Sequence, residues 1–559
     1  MRGARWQVAP CAVPPELARH YPALMARILG SRGMATPEAA ELFLSGDARL
    51  SGDPLLLPDI HPAMNRIYRA ILSGERIAVY GDFDSDGITA TALMVTGLRC
   101  LGANATPYIP HRVTEGYGLK TAALRKLAAE GVSLVVSVDC GVTAVAEVKA
   151  ARAFGLDIIV TDHHLPLPEL PPAVAVIDPR RGDSVYPFRE LAGVGVAFKV
   201  VEALFGGMGK PLPREHFLEL TAIGTVADIM PLVGENRYLV KEGLKHLNDH
   251  PSPGLLEIVN LSRLRPGQLD AESISWTVAP RLNAAGRLEH AMAAYNLLTA
   301  ATADEARDLA AVLEERNAER QRLTAKFVAR ARDLVLSAPL SPLLLIEDEE
   351  CPPGILGLVA GRLTDEFYRP SIVIRRDQET ATASCRSIPG FNITAAIDLC
   401  GHLLSHYGGH AQAAGFSLKT ADLPELSTLI AGITARELAA LDLQPVLSID
   451  AEARLHELGG GMFQMLNRLA PFGEGNRPPL FVSRCVTVSD YRAMGSAGEH
   501  LKLRLTQGGA AWEAVAFRQA EEMKKILPGP LDVVYNLELD RFNGRETVRL
   551  NIVDFAPSI

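Results

Sequence analysis

Short Val- and Ile-rich runs recur between residues 76 and 181, in RIAVY, SLVVSV, DIIVT and AVI. Stretches of helical periodicity over 88–101, 120–130 and 142–154 separate them. Apolar runs of that length predict strands, and their alternation with helices predicts a β-α-β-α-β unit with a parallel sheet and right-handed crossovers. Ligands of such sheets sit beyond the carboxyl ends of the strands. A further helix is predicted over 215–226, and an uninterrupted, oppositely charged helix over 304–336 that reads either as a connector between domains or as a plain solvated helix. A second α/β unit follows over 339–440, with strands LLLIED and SIVIRR. Beyond residue 447 the pattern shortens to alternating runs (LFVSRCVTVSDY, HLKLRLTQ, AWEAVAF, LDVVYNLELDRF, ETVRLNIVDF) with an Asn543-Gly544 turn, which predicts a small closed barrel of the OB type. Residues 1–60 read as an irregular or helical extension, with LARHYPALMARILG helical.

Three of the predicted strands end alike. RIAVY runs into GDFDSDG, with Asp82, Asp84 and Asp86 at alternate positions; SLVVSV ends at Asp139; DIIVT ends at Asp162, His163 and His164. Asp228 follows the helix over 215–226. Hard divalent cations prefer carboxylate oxygens, and Mn²⁺ also accepts imidazole. Asp82, Asp84, Asp86, Asp139, Asp162, His163 and Asp228 together predict ligands for two such ions, Mn²⁺ or Mg²⁺. Two ions about 3.5–4 Å apart can clamp a phosphodiester. Asp139, on a central strand, is the expected bridging ligand. Asp139, Asp162, His163 and His164 form the predicted catalytic group, with His164 hydrogen-bonding a phosphoryl oxygen or helping the leaving group. A calcium loop counted from Asp82 has its glycine at Gly87 but Leu93 where the closing Glu belongs, so that reading fails. Asp178, in IDPRR, reads as an Asp-Pro turn.

Three arginine-bearing segments predict strand contacts, since guanidinium forks and Ser hydroxyls suit phosphate. They are PHRVTEGYGL with Arg112 and Tyr117, ATASCRSIPG with Ser384, Arg386 and Ser387, and PRLNAAGRLEH with Arg281, Asn283 and Arg287. YGGHAQAAGF, with His410, predicts a glycine turn opening into a small-residue helix start. In the barrel, Phe481, Trp512, Tyr535 and Phe542 are candidate base-stacking platforms, or else core.

Composition narrows the class. The 559 residues exceed one core and suggest three or four domains; 48% are hydrophobic and 22% charged, as in a globular chain. A net charge of −9 argues against a protein basic all over, while leaving room for a local basic groove. The seven cysteines form no CxxC pair, which predicts reduced thiols and a cytoplasmic protein without a zinc finger. Prolines and Gln7 interrupt residues 1–15, so no signal peptide is expected there, and no uncharged run reaches the ~20 residues of a membrane span.

GDFDSDG, SVDCG and TDHH in this order resemble the motif series of the DHH phosphoesterase superfamily. EGYGL, AGVGVAFK, TVADIMPL, PRLNAAGR, CRSIPG, GGHAQAAGF and LAPFGEGN narrow the resemblance to its RecJ branch, single-strand-specific 5′→3′ exonucleases, over about residues 50–559. The resemblance implies an N-terminal extension (1–60), a parallel-sheet DHH domain (61–300), a connecting helix (301–337), an α/β DHH-associated domain (338–446) and an OB-like nucleic-acid-binding domain (447–559). It implies Asp84, Asp86, Asp139, His163 and Asp228 as principal ligands of two Mn²⁺ or Mg²⁺ ions, with Asp82, Asp162 and His164 in the same core. Arg112, Ser384 and Arg386 would grip a 5′ phosphate, with Arg287 and His410 in the groove. Single-stranded DNA is the implied substrate, repair and recombination the implied setting, and a single-strand-binding protein and a helicase the implied partners. Pro352 stands where the family often has His. Two other readings weigh less: a hydrolase of short oligonucleotides or cyclic dinucleotides, disfavoured by the barrel, and an inactive DNA-binding scaffold, disfavoured by the intact Asp/His set.

Overall fold

In the computed structural model, which describes residues 4–10, 13–112, 114–540 and 546–558, the Val/Ile runs form one five-stranded sheet. All neighbours are parallel, in the order Asn104–Tyr108, Arg76–Tyr80, Val132–Val138, Asp157–Thr161, Ala175–Ile177. Ile77, Ala78, Val79 and Tyr80 are all fully buried, as are Leu134, Val135 and Val136, because helices cover both faces. The crossovers are the helices Ser85–Cys100, Thr121–Ala129 and Val145–Arg152. The chain enters at Arg76–Tyr80, adds Asn104–Tyr108 on one side and then crosses to the other. The strand order therefore reverses between Arg76–Tyr80 and Val132–Val138, the place where open parallel sheets form their ligand crevice. Helices Gly193–Gly207 and Arg214–Ala227 pack on Ser85–Cys100.

This sheet lies in a unit spanning residues 51–443. The long helix is there too, as the 34 residues Ala303–Leu336, capped by the Thr302 side chain. At ~1.5 Å per residue it extends about 51 Å. It is not solvated all round: Ala306, Ala310, Leu313, Asn317, Phe327, Ala331 and Val335 form a buried stripe. Ion pairs of 2.5 Å from Glu314 to Arg281 and from Arg316 to Glu289 hold its first half. Phe327, Ala331 and Val335 share a core with Leu344, Val359 and Leu363. The second sheet has the order Leu404–His410, Ala413–Lys419, Thr380–Arg386, Ser371–Arg376, Leu344–Glu347, of which only the last pair is parallel.

GGHAQAAGF opens no helix. It is the hairpin Leu404–His410/Ala413–Lys419, whose second strand alternates half-buried and buried residues and pairs with Thr380–Arg386. Gly409, at φ 146°, accepts the close approach: a Cβ there would lie 2.4 Å from the Ala413 carbonyl oxygen.

The other unit combines residues 1–50 with 444–559. Phe481–Met494, His500–Gln507, Ala510–Ala516, Thr547–Pro557 and Leu531–Asp540 pair in that order, and the last returns to the first, closing a five-stranded barrel. The expected Asn543-Gly544 turn and Phe542 lie outside the described residues. The N-terminal residues are not a free extension. Arg5–Val8 pairs in parallel with Val446–Ile449, and Leu24, Met25, Ile28 and Leu29 share one core with Leu501, Leu503, Tyr535 and Ile552. Pro22 splits the expected helix into Pro15–His20 and Ala23–Ser31. Phe481 and Tyr535 are core residues, the Tyr535 hydroxyl 2.7 Å from Ser483 Oγ, so neither is a stacking platform. Half-buried Trp512 donates its indole N–H to the Leu455 carbonyl. Among the described residues of this unit's C-terminal part, the exposed aromatics are Tyr491 and Phe517.

Among the described residues no helix is long and apolar enough to cross a membrane. Cys100, Cys140, Cys351, Cys385, Cys400 and Cys485 are free thiols; Cys11 lies outside the described residues.

Candidate active site

The sheet delivers its acidic groups to one end. Asp84 caps the helix Ser85–Cys100, its Oδ1 accepting from the Asp86 and Gly87 amides at 3.0 and 3.1 Å. That cap swings Asp86 into the first turn, where both of its oxygens accept backbone N–H groups from the next-but-two helix: Gly193 at 2.7 Å and Val194 at 2.8 Å. Gly193 leaves room for Asp139, since a Cβ there would stand 2.6 Å from the Asp139 side chain. Asp139 itself has φ 60°, a left-handed conformation held against its intrinsic cost. Asp228 terminates the helix Arg214–Ala227.

Three sets of donor atoms lie mutually within 4.8 Å: Asp82, Asp84 and Asp139; Asp86, His163 and Asp228; Asp139, His163 and His164. Asp139 and His163 each belong to two sets. His163 Nε2 is 3.1 Å from Asp139 Oδ1, 3.6 Å from Asp228 Oδ2 and 3.9 Å from Asp86 Oδ2. Asp162 stands outside these sets. Its Oδ1 accepts from the His163 amide (2.8 Å), the His164 amide (3.2 Å) and His164 Nδ1 (2.7 Å), and its Oδ2 from the Val142 amide (2.9 Å). Tyr117 reaches His164 Nδ1 at 3.2 Å, and the ring of His410 stacks on that of His164, centroids 6.3 Å apart. Asp178 is buried close by, with Oδ2 unpartnered.

The electrostatics describe a site built for cations. Burial, then repulsion from Asp84, pushes Asp86 up to about 7; burial, then Asp86 and Asp84, pushes Asp228 up to about 8. Burial raises Asp82 and Asp139 as well, each reinforced by neighbouring carboxylates. Burial, then the charge of His164, lowers His163 to about 3 and keeps it the neutral imidazole a metal requires. Against its own burial, His164 is raised to about 9 by the Asp162 hydrogen bond and the surrounding carboxylates. Asp82 Oδ1 and both ring nitrogens of His163 are buried without hydrogen-bond partners. Orphaned buried donors amid mutually repelling carboxylates fit hard divalent cations, with Mn²⁺ suiting the imidazole.

An acid whose folded pKa exceeds its unfolded one holds a proton on folding, so its contribution to stability falls as pH rises through that window. For Asp86 and Asp228 the window runs from the ordinary 3.8 to about 7 and about 8. Cations displace those protons. The gap in Tm between Mn²⁺-loaded and EDTA-treated protein is therefore expected to widen from pH 5.5 to 8.5 at fixed free Mn²⁺; a gap independent of pH would contradict the assignment.

The arginines converge separately. Arg112 lies over the Phe83 ring at 4.6 Å. Arg287 donates to the Gly354 carbonyl at 2.9 Å, in the short helix Pro353–Ile355 that follows Pro352. Burial, then the proximity of Arg112, Arg320 and Arg386, lowers Arg287 to about 9, which marks four guanidiniums crowded without enough counter-charge. Ser384 Oγ and Arg386 Nη2 lie side by side, each 2.9 Å from where a Gly357 Cβ would be. Ser387 turns inward instead, donating to the Phe391 carbonyl. Arg281 is committed to Glu314, and Asn283 accepts the Ser85 amide at 2.9 Å, a structural tie to the acidic turn. Sequence reasoning missed Arg320, hidden among the charges of the long helix. It also missed the Gly193 and Val194 amides, which the glycine-rich helix start of AGVGVAFK signals.

Family models match three segments: "DHH family, N-terminal domain" over residues 76–225, "DHHA1 domain" over 335–435 and "RecJ OB domain" over 449–554. The single-stranded-DNA-specific exonuclease RecJ of Bacillus subtilis is 38% identical over 96% of this chain and 68% of its own length. That of Dickeya dadantii is 33% identical over 97% of each. Among solved structures, RecJ of Thermus thermophilus in complex with Mn²⁺ superposes with a TM-score of 0.86 at 31% identity, over all of this chain and 80% of that one.

Proposed function

This chain belongs to the RecJ family of single-stranded-DNA-specific exonucleases, and we propose that it trims single-stranded DNA from the 5′ end to mononucleotides, within DNA repair and recombination. The observation that carries this is the adjacency in one unit of a buried Asp/His donor cluster and a crowded arginine group. Two divalent ions, when bound, supply Lewis acidity to the scissile phosphate and lower the pKa of a water. Asp84, Asp86, Asp139, His163 and Asp228 hold them, with Asp82 completing the acidic wall. Asp162 acts through His164: it fixes the imidazole by Nδ1 and leaves Nε2 for a phosphoryl oxygen. Ser384 and Arg386, with Arg112, grip the terminal 5′ phosphate; Arg287 and His410 border the strand.

The test is an oligonucleotide labelled at either end, offered with Mn²⁺ as a single strand and as a blunt duplex. Early release of a 5′-labelled mononucleotide from the single strand alone, blocked by EDTA, is expected. Cleavage of dinucleotides but not of long strands would overturn it. For the anchor, Arg386→Ala is expected to lower kcat/KM on 5′-phosphorylated strands by roughly 10–100-fold, the worth of a charge-assisted pair, while sparing 5′-hydroxyl strands. Equal losses on both ends would remove Arg386 from that role.

A further inference from the structure

Arg386 faces two environments. It belongs to the arginine group around Arg287, and it also lines a cleft of about 610 Å³ bounded by Trp276, Pro280, Arg320, Arg362 and Asp365. That volume suits a small organic ligand. Trp276, on the single π-helical turn Ile274–Val278, leaves 70% of its surface exposed, and no hydrogen bond of its indole is found among the described residues. So exposed an indole at the lip of a cleft is the mark of a contact surface. Arg362, on the helix Leu356–Phe367, is exposed, and its guanidinium has no ion pair or hydrogen bond among the described residues. Arg320 spends two N–H groups on Asn317 Oδ1, at 3.3 and 2.8 Å, and keeps the rest. Asp365 is the one carboxylate on the lining, against three guanidiniums.

An unstacked aromatic face beside guanidiniums short of counter-charge complements a ligand with a planar ring and a phosphate. We propose that this cleft binds a nucleoside phosphate next to the 5′-phosphate anchor, Trp276 taking the base face and Arg320 and Arg362 the phosphate. The inference rests on the anchor reading of Ser384 and Arg386. The same chemistry has two sources: a free mononucleotide, or a nucleotide joined to the strand's 5′ end through a pyrophosphate.

The full chain distinguishes them. Binding of dAMP is measured by calorimetry, and trimming of a 5′-adenylylated oligonucleotide is compared with that of its 5′-phosphorylated counterpart. Trp276→Ala and Arg362→Gln are each expected to weaken dAMP about tenfold or more, the worth of one stacked base or one charged contact. Both should trim the plain 5′-phosphorylated strand within about twofold of the parent. Selective slowing on the adenylylated strand assigns the cleft to strand ends; weakened dAMP alone assigns it to the free nucleotide. If the parent binds no dAMP and treats both strands alike, or if both variants match it in both assays, the proposal is overturned. Arg386→Ala separates the two layers. Unchanged preference for 5′ phosphate in that variant sinks the anchor reading, whereas lost preference with silent Trp276 and Arg362 variants sinks the cleft alone.

Discussion

Asp139→Asn is expected to lower hydrolysis by roughly 10³-fold, the scale of losing one preorganised electrostatic group, while single-strand binding and Tm in EDTA stay near or above those of the parent. Asn is preferred to Ala because Asp139 sits at φ 60°, where Asn is tolerated and Ala is strained. Asn also keeps the volume beneath Gly193. The substitution removes a carboxylate shared by two of the three donor sets, so it alters both sets at once. Asp139 is pushed well above the usual carboxylate range by burial and by Asp86, so its loss relieves repulsion in the metal-free protein. Trimming at wild-type rates in Mn²⁺ would sink the shared-ligand assignment.

Gly87→Ala is expected to cost about 10²-fold in rate and to lower Tm. Two effects of opposite sign compete. Gly87 lies in the first turn of Ser85–Cys100, and Ala there improves helix propensity by up to ~1 kcal/mol. The added Cβ would, however, meet the Asp82 Cβ, amide nitrogen and carbonyl oxygen, all at 2.6 Å. Two of those atoms are backbone and cannot swing away, so overpacking of ~1–3 kcal/mol decides the sign. Relief requires the acidic turn to shift, and a displacement near 1 Å among reacting groups costs about 10²-fold. A Tm at or above wild type with full activity would show that the turn yields more freely than its packing implies.

The site was legible wherever chemistry coincided with topology. Strand-end carboxylates are readable because parallel sheets direct the ends of their strands to one crevice, which is how Asp82, Asp139 and His163 come together from distant segments. Ser384 and Arg386 were readable for a related reason: residues two apart on a strand share a face. What the chain hid was set by tertiary context. AQAAGF has the composition of a helix start and becomes a hairpin strand because Thr380–Arg386 offers it a ladder. Arg5–Val8 carries no sign that its partner is Val446–Ile449. Arg281 and Arg287 look alike in PRLNAAGR, yet Glu314 neutralises the first while the second sits among Arg112, Arg320 and Arg386. Phe481 and Tyr535 read equally as platforms or as core, because an aromatic in a barrel strand looks the same whether it faces inward or outward; the structure makes both core.

The order in which the donors occur along the chain has a consequence for biosynthesis. Asp82 emerges early, His163 much later, and Asp228 only at the end of a helix that packs behind Ser85–Cys100. A ribosome-bound fragment that stops short of Asp228 lacks one donor of the cluster, and one in which Gly193 and Val194 have not docked lacks the amides that hold Asp86. The donor cluster is thus complete only after residue 228 has been made and the helix Gly193–Gly207 has docked on Ser85–Cys100. Local docking, and not the order of synthesis alone, decides when Asp86 is held in place.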